Sequence, residues 1–223
     1  MRCSYAPIVR FVMLLFAILP ASLFAQQTLS TINGWNAYVH LPDDYNSTDT
    51  KNYPAILFLA GGTKGDAANL LSCGPAAFIA RGWNGNVLVR GRLVKPIIIS
   101  LQPPASWLQP AALDQEIAFI RNHYRIDSTQ INLTGYSMGG WAAESYIQSG
   151  ARSGRIASVV AIQAMRPDEN PAYPAPFAGF ARNGSHWLGY EQDDDIGDMH
   201  NIANTMNSAI SGSATYIPVG AGG

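Results

Sequence analysis

A serine stands among glycines at Gly135-Tyr136-Ser137-Met138-Gly139-Gly140. A Gly-x-Ser-x-Gly run between a strand and a helix makes a turn so sharp that bulky neighbours would clash, and it lifts the central hydroxyl clear of the sheet. The flanking sequence fits. Gln130 to Thr134 reads as a short buried strand, and Trp141 to Gln148 as a helix with Gly150 near its end. The chemistry this could do is nucleophilic: Ser137 attacking a carbonyl carbon. The Met138 N–H, beside a helix N-terminus, would hold the oxyanion that forms. The plain alternative is a glycine-rich turn with an incidental serine, and the order strand, elbow, helix argues against it.

Other segments join the elbow in a wider likeness. They are Tyr38-Val39-His40-Leu41-Pro42, Tyr53 to Gly62, Pro96 to Gln102 and Ser158 to Ile162. Together, from about Asn36 to Gly223, the chain resembles the α/β-hydrolase superfamily. Its nearest likeness is to the secreted esterases: the phospholipase/carboxylesterase, dienelactone-hydrolase and polyhydroxybutyrate-depolymerase-like branches. The resemblance implies an α/β-hydrolase fold in a single domain, with a mostly parallel central sheet and helices on both faces. It also implies a second oxyanion donor in the loop after the Ala55–Leu59 strand. Gly62 is the position expected to donate, with Thr63 next. Ala60-Gly61 stands where the family often has His-Gly. A phosphate-binding loop is excluded there, because no Gly-Lys-Ser/Thr ending follows.

The superfamily order is serine, acid, histidine. The expected strand before the acid is Phe177 to Ala181, followed by a loop from Arg182 to Gln192 and then Asp193-Asp194-Asp195. The family's spacing back from Met206 lands on Asp195, with Asp194 and Asp193 kept open. A solvated acidic helix start is the alternative reading of this cluster. None of the four histidines, His40, His123, His186 and His200, follows the last expected strand. In related esterases that strand leads into Gly-Gly-His or Gly-x-Gly-His. Here Pro218 to Gly223 ends the sequence, so the base is expected beyond Gly223, with the chain truncated before it and inactive alone. A rewired base, His186 or His200, is the rival. His186 is read as lying near the catalytic rim but out of chain order.

Composition bounds the rest. The chain has 223 residues, 48% hydrophobic and 13% charged, enough for one domain with a large core. Low charge suits central strands buried on both faces. A net charge of −1 gives no overall electrostatic case for nucleic acid or an anionic membrane. The first 25 residues differ. Arg2 and Arg10 precede an apolar run from Phe11 to Leu19, and Ala25 closes a cleavage-like segment. This reads as a secretory signal peptide, so the domain is expected over residues 26–223, secreted or periplasmic, with no integral membrane segment once the signal is removed. Its removal takes two basic residues and no acids, leaving 12 basic and 15 acidic, net −3. Cys3 leaves with it and Cys73 remains alone.

The elements that must position this chemistry alternate strand and helix, which argues for a mostly parallel sheet. Expected strands are Asn36 to Leu41 at an edge, Ala55 to Leu59, Pro96 to Leu101, Ile156 to Ile162 and Ala214 to Val219. Expected helices are Pro75 to Arg81, then Asp114 to Tyr124 with Ile117, Ala118, Ile120 and Tyr124 at helical spacing, and Ile196 to Ile210. Asn84-Gly85-Asn86 and Gly91 punctuate a loop region. Open α/β sheets bind ligands at the carboxyl ends of their strands. Three tryptophans are expected there as a substrate platform: Trp107 in one loop, Trp141 after the elbow, and Trp187 in a loop before the acid. Packing of loop tryptophans is the plain alternative. No cofactor and no metal is expected, and the substrate is a small or polymer-linked ester. A prolyl-oligopeptidase-type peptidase is a rival enzyme, ranked lower because no propeller-sized region precedes the domain. A silent binding module is the rival from another class.

Overall fold

The structure is a computed structural model that describes residues 27–46, 48, 50–62, 66–104, 108–148, 155–164, 181, 186–191 and 199–218. Its strands are β1 (Gln27–Ile32), β2 (Trp35–His40), β3 (Tyr53–Leu59), β4 (Val87–Val89) and β5 (Arg92–Val94), followed by β6 (Ile97–Gln102), β7 (Ile126–Tyr136), β8 (Ser158–Ile162), β9 (His186–Glu191) and β10 (Ala214–Pro218). The α-helices among the described residues are α1 (Pro75–Ala80), α2 (Pro110–His123), α3 (Met138–Gln148) and α4 (Met199–Ala209), and a 3-10 turn covers Ala67–Leu71.

Eight of these strands form one sheet in the order β1-β2-β6-β3-β7-β8-β9-β10, while among the described residues β4 and β5 pair only with each other. The β1–β2 and β2–β6 pairs are antiparallel and the rest of the large sheet is parallel. Parallel strands covered on both faces need continuous apolar sequence. Ile97-Ile98-Ile99-Ser100-Leu101-Gln102 supplies it, and every residue of β6 is buried.

The two coverings can be read along β3, because successive side chains point to opposite faces. Leu57 and Leu59 pack in the main core with Leu113 and Ile117 of α2 and Ala142 and Ala143 of α3. Phe58 and Ala60 pack on the other face with Leu70 and with Ala76 of α1. Helices therefore lie on both sides of a mostly parallel sheet, as expected. The helix α2 starts on Pro110, where a missing N–H costs nothing, and buries Leu113, Glu116, Ile117 and Ile120 in one stripe. Asp114 ties it to its neighbours, accepting from the Tyr146 hydroxyl of α3 at 2.9 Å and from Arg155 at 2.6 Å.

Several expectations change. The Asn36–Leu41 segment is not an edge strand, because β1 pairs outside it. Ala118 faces solvent and the polar Glu116 takes a core position of α2 instead. The loop expected around Gly91 contains the β4–β5 ribbon, turned at Arg90 and Gly91, both with positive φ. Of the expected Phe177–Ala181 strand only Ala181 is described, and it is helical. The strand that follows β8 in the sheet is instead His186–Glu191, parallel to both β8 and β10. Trp187 and Gly189 alternate inward along it. A Cβ on Gly189 would fall 2.1 Å from the Trp187 ring, so the missing side chain gives the indole its room.

Candidate active site

Ser137 follows the last residue of β7 and precedes the first of α3. Its φ is +55°, a left-handed conformation that non-glycine residues seldom adopt. Hydrogen bonds hold it on both sides. The Ser137 N–H donates to the Ile162 carbonyl at 2.8 Å, and its carbonyl accepts from the Trp141 N–H at 3.0 Å.

The glycines explain why this sequence can make the turn. A Cβ on Gly135 would sit 2.3 Å from the Gly139 carbonyl carbon and oxygen. One on Gly139 would sit 2.1 Å from the Leu59 carbonyl oxygen, and one on Gly61 would sit 3.0 Å from the Ser137 Cβ. The start of α3 is thus pressed onto the end of β3, and the Ala60-Gly61-Gly62 segment runs against the elbow. This brings the backbone after β3 and the backbone of Met138 to one place, the arrangement two oxyanion donors need. Gly62 is exposed with φ +74°, and Met138 is the first residue of α3.

The other candidate residues divide. Thr63, Trp107, Asp193, Asp194 and Asp195 lie outside the described residues. The acid cluster begins two residues beyond the end of β9. The strand pairing β7–β8–β9 aligns Tyr136, Ile162 and Tyr190, so β9 itself ends at the rim that carries Ser137. Trp141 is half-buried in the first turn of α3 and packs against the main core. Trp187 is not on a loop at the rim. It is 2% exposed in the core, and its indole N–H donates to Glu144 at 3.3 Å, so it cannot line a pocket there.

The histidines are placed by topology. His186 begins β9 opposite Ser158, the start of β8. That is the amino-terminal edge of the sheet, four residues and roughly 13 Å of strand from the elbow rim. The expectation that His186 lies near the catalytic rim is therefore corrected, and it cannot serve Ser137. His40 ends the antiparallel β2 opposite Ile98, and His123 ends α2 three residues before β7 begins. Both also lie toward that far edge, His123 with its Nδ1 2.8 Å from the Phe119 carbonyl. His200 belongs to the first turn of α4.

One residue at the site was invisible in the sequence. Gln163 follows β8 directly beside Ser137, and its φ is +46°. A glutamine after an apolar strand carries no signal for a left-handed backbone, and only the pairing of β7 with β8 finds it.

Neither a family model nor a curated protein matches the sequence. Solved structures do. A thermostable esterase superposes with TM-score 0.60 at 18% identity over 87% of this chain, which spans 54% of that protein's length. A ferulic acid esterase gives TM-score 0.55 at 17% identity over 87% of this chain and 88% of its own. The fluorophosphonate-binding serine hydrolase F of Staphylococcus aureus, solved with substrate bound, gives 0.55 at 13% identity, covering 87% and 88%. The chain has the α/β-hydrolase fold. Within that fold the β7–α3 turn and the Ala60-Gly61-Gly62 segment after β3 meet at the carboxyl ends of the parallel strands, the rim where open α/β sheets bind their ligands. The β4–β5 ribbon lies outside the large sheet.

Proposed function

We propose that this protein is an exported serine hydrolase that cleaves carboxylic esters through an acyl-enzyme on Ser137. The observation that carries the reading is the left-handed Ser137 backbone at a strand-to-helix turn, closed by glycines against the end of β3. Such an outlier at the carboxyl rim is the strain a presented nucleophile requires. The Ser137 hydroxyl attacks the ester carbonyl carbon and gives its proton to a histidine base. The carbonyl oxygen becomes an oxyanion held by the Gly62 and Met138 N–H groups. The base then protonates the departing alcohol, and water repeats the sequence to release the acid. Asp195 orients the base, with Asp194 and Asp193 as the neighbouring candidates. The base is a histidine other than His186, His40 and His123, which the topology places toward the far edge of the sheet. The names of the similar structures, a ferulic acid esterase and a fluorophosphonate-binding serine hydrolase among them, support an ester substrate.

The test uses the natural full-length protein and a fluorophosphonate probe. Ser137 labels, and Ser137→Ala abolishes labelling while the circular dichroism spectrum is retained. Labelling that persists in the Ala variant refutes the assignment. A stop codon directly after codon 223, with no labelling, favours the silent binding module.

A further inference from the structure

The net charge of the chain hides a segregation. From Ala67 to Leu113 there is no Asp or Glu, and Arg81, Arg90, Arg92 and Lys95 are the charged residues of that stretch. Outside it, and outside residues 1–25, 8 basic residues face 15 acidic ones. Lys95 is committed to Asp43 at 2.6 Å. The three arginines are exposed and join no ion pair among the described residues.

The same stretch carries an apolar projection. β4 and β5 form a two-stranded ribbon paired with no other strand among the described residues. Leu88 and Leu93 stand opposite each other, so they share one face of the ribbon, and they are 72% and 62% exposed. Val89 and Arg92 pair on the other face, both exposed, and the turn is Arg90-Gly91. α1, which leads into the ribbon, adds Phe78 at 59% exposure and Arg81 at its end. An isolated two-stranded ribbon with a large aliphatic pair in water is an unfavourable surface unless something covers it.

We propose that this ribbon is a docking element for an anionic lipid surface. The ribbon enters turn first: Leu88 and Leu93 on one face and Val89 on the other reach the headgroup boundary, while Arg90 at the turn and Arg92 beside it meet the lipid phosphates, the combination by which peripheral elements bind membranes. Charge complementarity selects lipid of that sign and fixes the orientation. The rest of the sequence carries 8 basic against 15 acidic residues, so an anionic surface favours the approach led by the ribbon. The ribbon ends at Val94, just before β6 begins at the amino-terminal edge of the sheet. Ser137 lies on the opposite rim.

The experiment is co-sedimentation of the protein as exported, with vesicles of phosphatidylglycerol and phosphatidylcholine in equal parts, against phosphatidylcholine alone. The first 25 residues are left off, because that apolar, arginine-bearing segment would itself bind the vesicles and hide the ribbon. The wild type pellets with the mixed vesicles and is released as salt approaches ~1 M, where charges are screened within about 3 Å. Arg90→Glu/Arg92→Glu and Leu88→Ser/Leu93→Ser each weaken pelleting by roughly tenfold or more. Both keep the wild-type melting temperature, because the ribbon is outside the large sheet. Three results would overturn the proposal. One is equal pelleting of wild type and both variants. Another is heparin retention with no vesicle binding, which marks a soluble polyanion as the partner. The third is a dimer that Leu88→Ser/Leu93→Ser dissociates, which makes the ribbon a self-association surface.

Discussion

A single methyl group separates the two roles that glycine plays around Ser137. At Gly139 a Cβ would meet the Leu59 carbonyl oxygen at 2.1 Å, and that oxygen belongs to the central strand β3 and cannot retreat. Gly139→Ala is expected to cost about 3 kcal/mol, at the upper end for overpacking, and to displace Met138 from the loop after β3. At Gly62 no atom of the described residues lies within 4 Å of a Cβ, and it is the φ of +74° that opposes a side chain. Gly62→Ala is expected to cost about 1 kcal/mol, with the fold intact. Urea denaturation of the two variants, run side by side, checks the ordering, and equal costs would contradict it. The glycines were legible as a motif because the turn is local. Gln163 was not, since its place beside Ser137 depends on pairing between strands.

At the level of elements, β3, β6 and β8 could be read from apolar runs, because parallel strands buried on both faces leave little else in the sequence. The strand β9 could not. His186-Trp187-Leu188-Gly189-Tyr190 has the aromatic and glycine content of a binding loop. Its period of two becomes meaningful only once Gly189 is seen as the space that Trp187 fills. The ribbon β4–β5 escaped because each strand has three residues, fewer than a periodic pattern needs. The helix α2 is legible from its period but its buried face is not, because Glu116 takes a core position beside the apolar stripe. Trp187 gives the element-scale prediction. Trp187→Phe keeps most of the buried ring but removes the N–H donated to Glu144, and should lower stability by roughly 1–3 kcal/mol. A chemical denaturation midpoint checks it. If Trp187 instead served the substrate, the same change would alter the Michaelis constant with stability untouched.

Across the whole molecule, Glu116 couples stability to pH. It is 1% exposed, and one carboxylate oxygen accepts from the Asn33 amide at 2.7 Å in the β1–β2 turn. Burial raises its pKa from 4.5 to about 7, against the smaller opposing effect of the Asn33 hydrogen bond. The folded state therefore holds a proton that the unfolded chain releases at lower pH. This contribution is full below about pH 4.5 and is lost as the pH rises through about 7, a change of about 3 kcal/mol. Urea midpoints measured from pH 4.5 to 7.5 should fall with rising pH, and Glu116→Gln should flatten the curve. A wild-type curve that rises over that interval would contradict the sign. At this scale the contact between Gly139 and the end of β3 has a further consequence. Leu59 and Gly139 are far apart in the chain, so the turn holding Ser137 cannot close until β3 and β7 have paired across the intervening helix α2. Closing that long loop is a late and costly event in folding. The strained serine is therefore absent from a nascent or partly threaded chain and arises only with the assembled sheet, so under the proposed function a probe that labels Ser137 counts the molecules that have finished folding.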